Sequence, residues 1–531
     1  MSLTKVSYSM ITGASVNALD FGADPTGVAD SAPAIQAAMT YAWLNRLELY
    51  VPAGNYLINS YQNTFDGKNI ALYINNGFAG PGFYQPFIMR GAGRWATKFI
   101  VSNSVGIDVV LGVICNGESG AVSDIGISCN QFAGVFACFQ NGGAGPNTAD
   151  RLWSGGADVG FYQKGGAVEY NDCVSEFANG YGYFLLNVFS TVLDKCSSLT
   201  SLTAGLGITA DTSGAQDPYQ ALAGIFVSNC TFNQSNSIAG VGAIFNVDQF
   251  TDSNISIVNT MFGNNGFSSG GGGQPNNQYG IIVQKCSNIS FTNCQFPLNR
   301  YGNIISNARN IIFTNCVFSA TGWLLDTSAG TTGECADLSI STSNASFPTN
   351  VTVVGCQFID SSGYAIKAAS YNSISLIGNT FNNCANGGLN TSGERRNLTD
   401  PTIGDSYVYL IPSATTSTFK FVSNHVINSA AFVAGRFGIK INAATAVPAA
   451  GNVKISGTTL DGALGSSYSY STATALQANA WLIFNDALAT STPQNFPAVA
   501  DANAPNSTLY YSTTASKLVW KDSTGAVNNL Y

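Results

Sequence analysis

The chain holds 531 residues with 21 basic and 29 acidic side chains, a net charge of −8 at pH 7. Only 9% of residues are charged while 45% are hydrophobic, so charge-driven disorder is excluded, and the acidic balance excludes the basic footprint of a nucleic-acid binder. No apolar run is long enough for a membrane-spanning helix.

Residues 1–16 read as a short connecting arm, without the basic start and apolar stretch of a signal peptide. A helix is predicted near 31–45. Asp30 or Ser31 caps it, Pro33 lies in its first turn, and Ile35, Ala38, Met39 and Ala42 share one face. Placed there, it covers the open end of whatever sheet follows. Leu47 to Val51 alternates as a strand, and Pro52-Ala-Gly54 turns it. Arg90-Gly-Ala-Gly93 lacks the Lys-Ser/Thr of a phosphate loop and reads as a corner.

The middle of the chain repeats. Residues 279–300 and 301–322 are identical at ten of 22 positions without a gap. Their core pattern is apolar-x-apolar-x-[Asn/Gly]-x-x-Phe, and it recurs at Phe232, Phe262, Phe358 and Phe381. The period-2 alternation predicts strands, and the Asn or Gly suits a left-handed bend. A strand–bend–strand unit of this length cannot bury its own apolar side, but stacked copies can. The predicted fold is all-β: a single-stranded parallel β-helix, or solenoid, over residues 17–462. Stacking places Cys173, Cys230, Cys294, Cys316 and Cys356 in one interior column with Thr260, Asn379 and Thr458. The twelve cysteines form no C-x-x-C pair and the single histidine is His425, which excludes a zinc ligand set. No metal or cofactor is expected. The cysteines read as buried small apolar residues of a protein folded in a reducing compartment.

From about 463 the repeat fades. Residues 463–531 read as a linker punctuated by Pro493, Pro497 and Pro505. A small β-rich unit for oligomerisation or carbohydrate binding follows, with strands at Leu509-Tyr-Tyr, Lys517 to Lys521 and Val527 to Tyr531.

The string Val16 to Ala23, with Thr26-Gly27, Asp30, Ala34 to Ala38 and Val51 to Tyr56, resembles the opening motif of the pectate-lyase superfamily as found in phage tailspikes and tail fibres. Phe87 to Arg94 with Thr97 matches the next stretch of that family. Leu3 to Ile11 and the closing Asn506 to Tyr511 with Lys521 to Gly525 are similar to the ends of phage tail proteins. The resemblance implies a right-handed β-helix and a homotrimer. It also implies attachment to a phage tail or baseplate protein through the N-terminus, folding in the host cytoplasm, and action on bacterial polysaccharide at the cell surface. It carries over no catalytic residue, because the Gly-His-Gly segment of polygalacturonases and the arginine pattern of calcium pectate lyases are absent.

Glycan hydrolysis needs two carboxyl groups, about 5–5.5 Å apart for retention and roughly 6.5–9.5 Å for inversion. Aligning Cys173 with Cys196 sets Glu169 and Asp194 outward on neighbouring coils at roughly 8 Å. A second candidate aligns Gln284, Ser306 and Asp326 as an outward column that Lys367 continues. Glu334 or Asp337 partners Asp326 from the long loop after it. Lys367 is alternatively the proton acceptor of a lyase. Tyr279, Tyr301 and Trp323 begin these strands, as sugar-stacking rings or as interior aromatics. The expected function is a tailspike depolymerase, more a glycoside hydrolase than a lyase. A non-catalytic receptor-binding fibre and a bacterial polysaccharide lyase are the alternatives.

Overall fold

The computed structural model describes residues 15–75, 86–101, 106–115, 119–129, 134–142, 146–210, 224–233, 240–247, 254–263, 279–299, 301–321, 336–343, 349–384, 406–412, 414, 416–427, 437–441, 452–461, 466–470, 483–484, 498–504, 508–514 and 516–529. The chain divides into two compact units, residues 1–484 and 485–531. The connecting arm expected over residues 1–16 lies outside the described residues up to residue 14.

The first unit is a parallel β-helix. Each full turn contributes one strand to each of three sheets, of 16, 15 and 15 strands. Sheet 1 begins with Val16–Asn17, Glu48–Val51 and Phe87–Gly91. Sheet 2 begins with Thr26–Asp30, Gly54–Leu57 and Thr97–Ile100. Sheet 3 begins with the antiparallel pair Asn63–Phe65 and Lys68–Asn75, followed by Val109–Ile114. A turn thus holds three strands where the sequence pattern gave two. The third, in sheet 3, is the longest strand of many turns but lacks the Asn-x-x-Phe signature.

The two 22-residue copies lie on adjacent turns in register. Gln284 pairs with Ser306, Phe291 with Phe313, and Gln295 with Val317. The signature phenylalanines point inward and stack. Centroid spacings are 5.4 Å for Phe232–Phe262, 5.5 Å for Phe262–Phe296, 4.6 Å for Phe296–Phe318 and 4.8 Å for Phe318–Phe358. Nearer the N-terminus the same inward column is filled by Ser154, Ser175 and Ser198, all buried.

The corner between sheets 1 and 2 explains the Asn/Gly signature. Asn229, Asn259, Asn293 and Asn315 occupy it with φ of 55, 50, 53 and 53°, and Gly355 and Gly378 with φ of 64°. Asparagine tolerates this left-handed conformation and glycine adopts it without a Cβ penalty. The next residue turns inward, which makes the column of Cys173, Cys196, Cys230, Thr260, Cys294, Cys316, Cys356 and Asn379. Eleven cysteines are described, and all are buried free thiols. Their Sγ atoms donate to backbone carbonyls of their own or the preceding turn, as Cys230 does to Leu193 and Ser228. Side chains of this column also receive backbone N–H groups from the turn before. Cys356 N donates to Asn379 Oδ1 at 2.8 Å, and Asn379 N to Asn424 Oδ1 at 2.9 Å.

The predicted helix spans Ala32–Leu44, and its buried residues include Ile35, Ala38, Met39 and Ala42. Ala32 N donates to Asp30 Oδ1, so Asp30 is the capping side chain, while Ser31 Oγ accepts from Asp24 N. Gln36 pairs with the backbone of Tyr73 in both directions, at 2.9 and 2.7 Å. The helix therefore satisfies part of the first edge of sheet 3, where an open strand would otherwise template pairing. At the other end, strands Ser466–Tyr470 and Ile483–Phe484 still pair into sheets 3 and 1. The solenoid thus runs past the expected boundary at 462. In the second unit, Thr508–Ser512, Lys517–Lys521 and Val527–Asn529 form the predicted antiparallel strands, with Ala498–Val499 parallel to the first.

The Phe stack predicts a large asymmetry between faces. Phe318→Ala should cost about 3–5 kcal/mol of stability. Ile312→Ala, at an outward position 41% exposed, should cost less than about 1 kcal/mol. Urea unfolding midpoints of the two variants measure the difference, and equal losses would contradict the inward placement.

Candidate functional site

The polar groups concentrate on the N-terminal turns, where the corner between sheets 1 and 2 is charged. Asp124, Arg151, Asp172 and Lys195 succeed one another there in the left-handed conformation, with φ of 61, 50, 49 and 53°. The stacking thus alternates sign. Arg151 grips Asp124 with both nitrogens, Nε at 2.7 Å and Nη2 at 2.8 Å, and also pairs with Asp150. Arg94 reaches Asp172 Oδ1 at 3.3 Å and bonds its carbonyl. The Arg151 guanidinium holds the Asp124 carboxyl below its ordinary range. Exposed pairs of this kind contribute little stability singly.

Glu169 and Asp194 lie on this wall. Glu169 pairs in register with Val192 and Asn171 with Asp194, so the two acids sit on adjacent turns two positions apart. Glu169 is exposed, and no hydrogen bond or ion pair engages it among the described residues. Asp194 is anchored. Its Oδ1 accepts from Ser228 Oγ at 2.6 Å and Asn229 Nδ2 at 2.8 Å, and its Oδ2 lies 3.2 Å from Lys195 Nζ. The hydrogen bonds from Ser228 and Asn229, more than the Lys195 charge, hold its carboxyl below the usual range. The arrangement leaves one carboxylate anchored and held ionised on the turn next to one that is exposed and unengaged.

The second candidate group divides. Asp326, Glu334 and Trp323 lie outside the described residues. Gln284 and Ser306 are register partners as expected, but the next rung of that column is Ser341, not Asp326. The strand that follows Gly302–Ser306 is Ala336–Ser341, because the segment between turns is longer than the 22-residue spacing allows. Lys367 pairs with Ser339 and with Tyr409, two positions from the column assigned to it. It is half-buried, and that burial lowers its pKa from the ordinary lysine value. Tyr279 and Tyr301 precede their strands with rings 5.5 Å apart.

Asp337 is not on the outer wall. It is the extra residue of a bulge, since Gly302 pairs with Ala336 and Asn303 with Leu338. Its side chain is fully buried and accepts from the Ser361 hydroxyl. Asn303 Nδ2 donates to its backbone carbonyl at 2.8 Å. Burial pushes its carboxyl up to about 7, against the lowering hydrogen bond from Ser361. As placed, it does not meet a polymer lying along the solenoid.

Beside the charged corner stands a group that the repeat alignment did not find. Trp153 opens the sheet 2 strand Trp153–Gly155, and Trp95 lies against it with ring centroids 5.3 Å apart. Trp153 Nε1 donates to Glu176 Oε2 at 2.9 Å. The signal was a Trp-Ser-Gly strand on a turn lacking the Phe signature, so no alignment reached it.

The described motif residues of the N-terminus are architectural. Thr97 Oγ1 accepts from Ala92 N and contacts the carbonyls of Val51 and Pro52. Asp30 caps the helix and also receives Asn59 N and Ser60 Oγ.

Comparison with known proteins agrees with this architecture. Residues 203–381 and 280–486 match the family described as right-handed beta helix region, which together span more than half of the chain. Residues 15–104 match the family described as rhamnogalacturonase A/epimerase, pectate lyase-like. No curated protein matches the sequence. Among solved structures, the A-module of mannuronan C-5 epimerase AlgE4 from Azotobacter vinelandii is similar with a TM-score of 0.53 at 16% identity, over 69% of this chain and 96% of that one. The A-module of AlgE6 from the same organism gives 0.53 at 13% identity, over 84% and 99%. Tailspike protein 3 of bacteriophage CBA120 gives 0.48 at 13% identity, over 97% and 69%. At such identities the likeness is one of fold.

The buried carboxyl makes a signed prediction. Asp337 binds its proton more tightly folded than unfolded, so its contribution is full below the ordinary carboxyl range and is lost as pH rises through about 7. Stability attributable to it should therefore fall between about pH 4 and pH 7. Asp337→Asn should flatten that slope in urea midpoints taken across the range. An unchanged slope would place the ionisation elsewhere.

Proposed function

Because the chain belongs to the right-handed β-helix family, we propose that its outer wall works on polysaccharide, as a phage tailspike that cleaves bacterial surface glycan. The observation carrying this reading is the Glu169–Asp194 pair on adjacent turns. Turns stack at about 4.8 Å and alternate residues of a strand lie about 6.8 Å apart, which separates the two by roughly 8 Å. Carboxyls carried on positions this far apart leave room for a water between acid and base, as inversion requires.

The roles follow from the surroundings. Asp194, held ionised by Ser228, Asn229 and Lys195, takes a proton from the attacking water. Glu169, exposed and unengaged, is the group left to serve the leaving glycosidic oxygen. The pectate lyase-like match over residues 15–104 supports a polysaccharide-directed wall. A homotrimer docked to the virion through the N-terminal residues completes the proposal.

A second reading takes Lys367 as the base of a lyase. It is favoured by the burial that lowers the Lys367 pKa, since a neutral amine accepts a proton. In that reading Asp326 and Glu334 supply the remaining chemistry.

Incubation of the purified protein with the host capsule separates these outcomes. New reducing ends without unsaturated sugars are expected from the wild type. Glu169→Gln and Asp194→Asn should each slow their release by about 10²–10⁴-fold with unchanged circular dichroism. Unsaturated products lost on Lys367→Ala would support the lyase. Polymer bound but uncut by the wild type would replace the depolymerase with a receptor-binding fibre.

A further inference from the structure

The tryptophan pair on sheet 2 has no role in the chemistry above. Lys98, Gly126 and Trp153 are successive rungs of one outward column. Gly155 and Glu176 are register partners in the neighbouring column. A Cβ at Gly155 would come within 2.8 Å of two indole carbons of Trp153, and one at Gly126 within 3.3 Å of a third. The two glycines are therefore the floor on which the Trp153 ring lies along the wall. Glu176 pins its Nε1. Trp95 leans on it at 46° and is 56% exposed. Lys98 Nζ sits 5.7 Å from the Trp95 centroid, and no carboxylate pairs with it among the described residues.

An indole held flat by two glycines and a carboxylate has lost its rotamer freedom before any ligand arrives, which lowers the cost of binding. Its apolar face is left toward solvent with a cation and an acceptor at the edges. That is the complement of a ring with C–H groups on its face and hydroxyls around its rim. Two indoles of about 150–250 Å² each fall far short of the roughly 800 Å² per partner that a stable protein interface needs.

We propose that Trp95 and Trp153, framed by Gly126, Gly155, Lys98 and Glu176, form a stacking platform for a pyranose ring of a polysaccharide, on the wall next to the acid pair. The ring's axial C–H groups lie on the indoles. Its hydroxyls accept from Lys98 and donate to Glu176. This rests on the polysaccharide reading given above but not on the Glu169–Asp194 pair.

Cellohexaose is a suitable probe, because its equatorial hydroxyls leave C–H groups on both ring faces. Sorbitol, with similar hydroxyls and no ring, is the control. Titration of the full chain followed by tryptophan fluorescence should saturate with cellohexaose and not with sorbitol. Trp95→Ala, at an exposed position, should weaken binding by roughly tenfold or more. Gly155→Ala should also weaken it, by lifting the Trp153 ring, while Ile312→Ala, at an exposed position of sheet 1, should leave binding unchanged. No saturable signal, or equal affinity for wild type and Trp95→Ala, would overturn the platform. A change of sedimentation on Trp95→Ala with sugar affinity intact would also overturn it, by assigning the patch to contact between chains. Capsule cleavage without cellohexaose binding would remove the platform alone. Binding without cleavage would remove the acid pair alone.

Discussion

Register is the constraint on which the molecule depends. Each turn donates and accepts backbone hydrogen bonds with the turns on either side in three sheets at once, so a residue's position in its turn fixes its neighbours for the length of the solenoid. A slip of one residue would send the Phe column outward and the Asn corner inward. The corner enforces the register chemically. From Asp124 onward it holds a left-handed residue on each described turn, and Asn, Gly, Asp, Arg, Lys or Ser fills it. The residue after it turns inward, and beyond Ile125 and Leu152 the buried column is filled by Cys, Thr and Asn.

The same constraint distributes chemistry. Like positions stack over like positions, so the wall of the N-terminal turns carries columns of acids and bases that neutralise one another. Two aspartates show what the surroundings decide. Asp194 stands on the wall among donors and is held ionised. Asp337, beside an irregularity of the strand register, lies in the interior and is pushed up to about 7. Hydrogen-bond donors on the wall and burial in the interior thus drive two aspartates in opposite directions.

Much of this was legible in the sequence wherever one position in the turn had a strong preference. The helix face of Ile35, Ala38, Met39 and Ala42, the Phe column and the Cys column all rest on such preferences. The Glu169–Asp194 geometry followed from aligning two cysteines. Three things were not legible. The third strand of each turn carries no marker residue. The length of the segment after residue 321 displaced the rung assigned to Asp326, since spacing predicts register only where no insertion intervenes. The tryptophan platform joins residues 95, 126, 153, 155 and 176 across four turns, where Phe99, Ile127, Ser154 and Ser175 in succession fill the Phe position, so the repeat gave no alignment there.

The stacking itself is open to direct measurement. Phe226, Ser256, Ser290, Ile312, Thr352, Ser375, Lys420 and Lys454 form one outward column of sheet 1. Spin labels at Phe226 paired in turn with labels at Lys420 and at Lys454 report six and seven rungs. Pulsed dipolar spectroscopy on labelled chains diluted with unlabelled ones should give distances of about 29 Å and 34 Å, one strand spacing apart. Distances that do not lengthen by about 5 Å from the first pair to the second would contradict in-register stacking, and with it the placement of every residue argued from a rung.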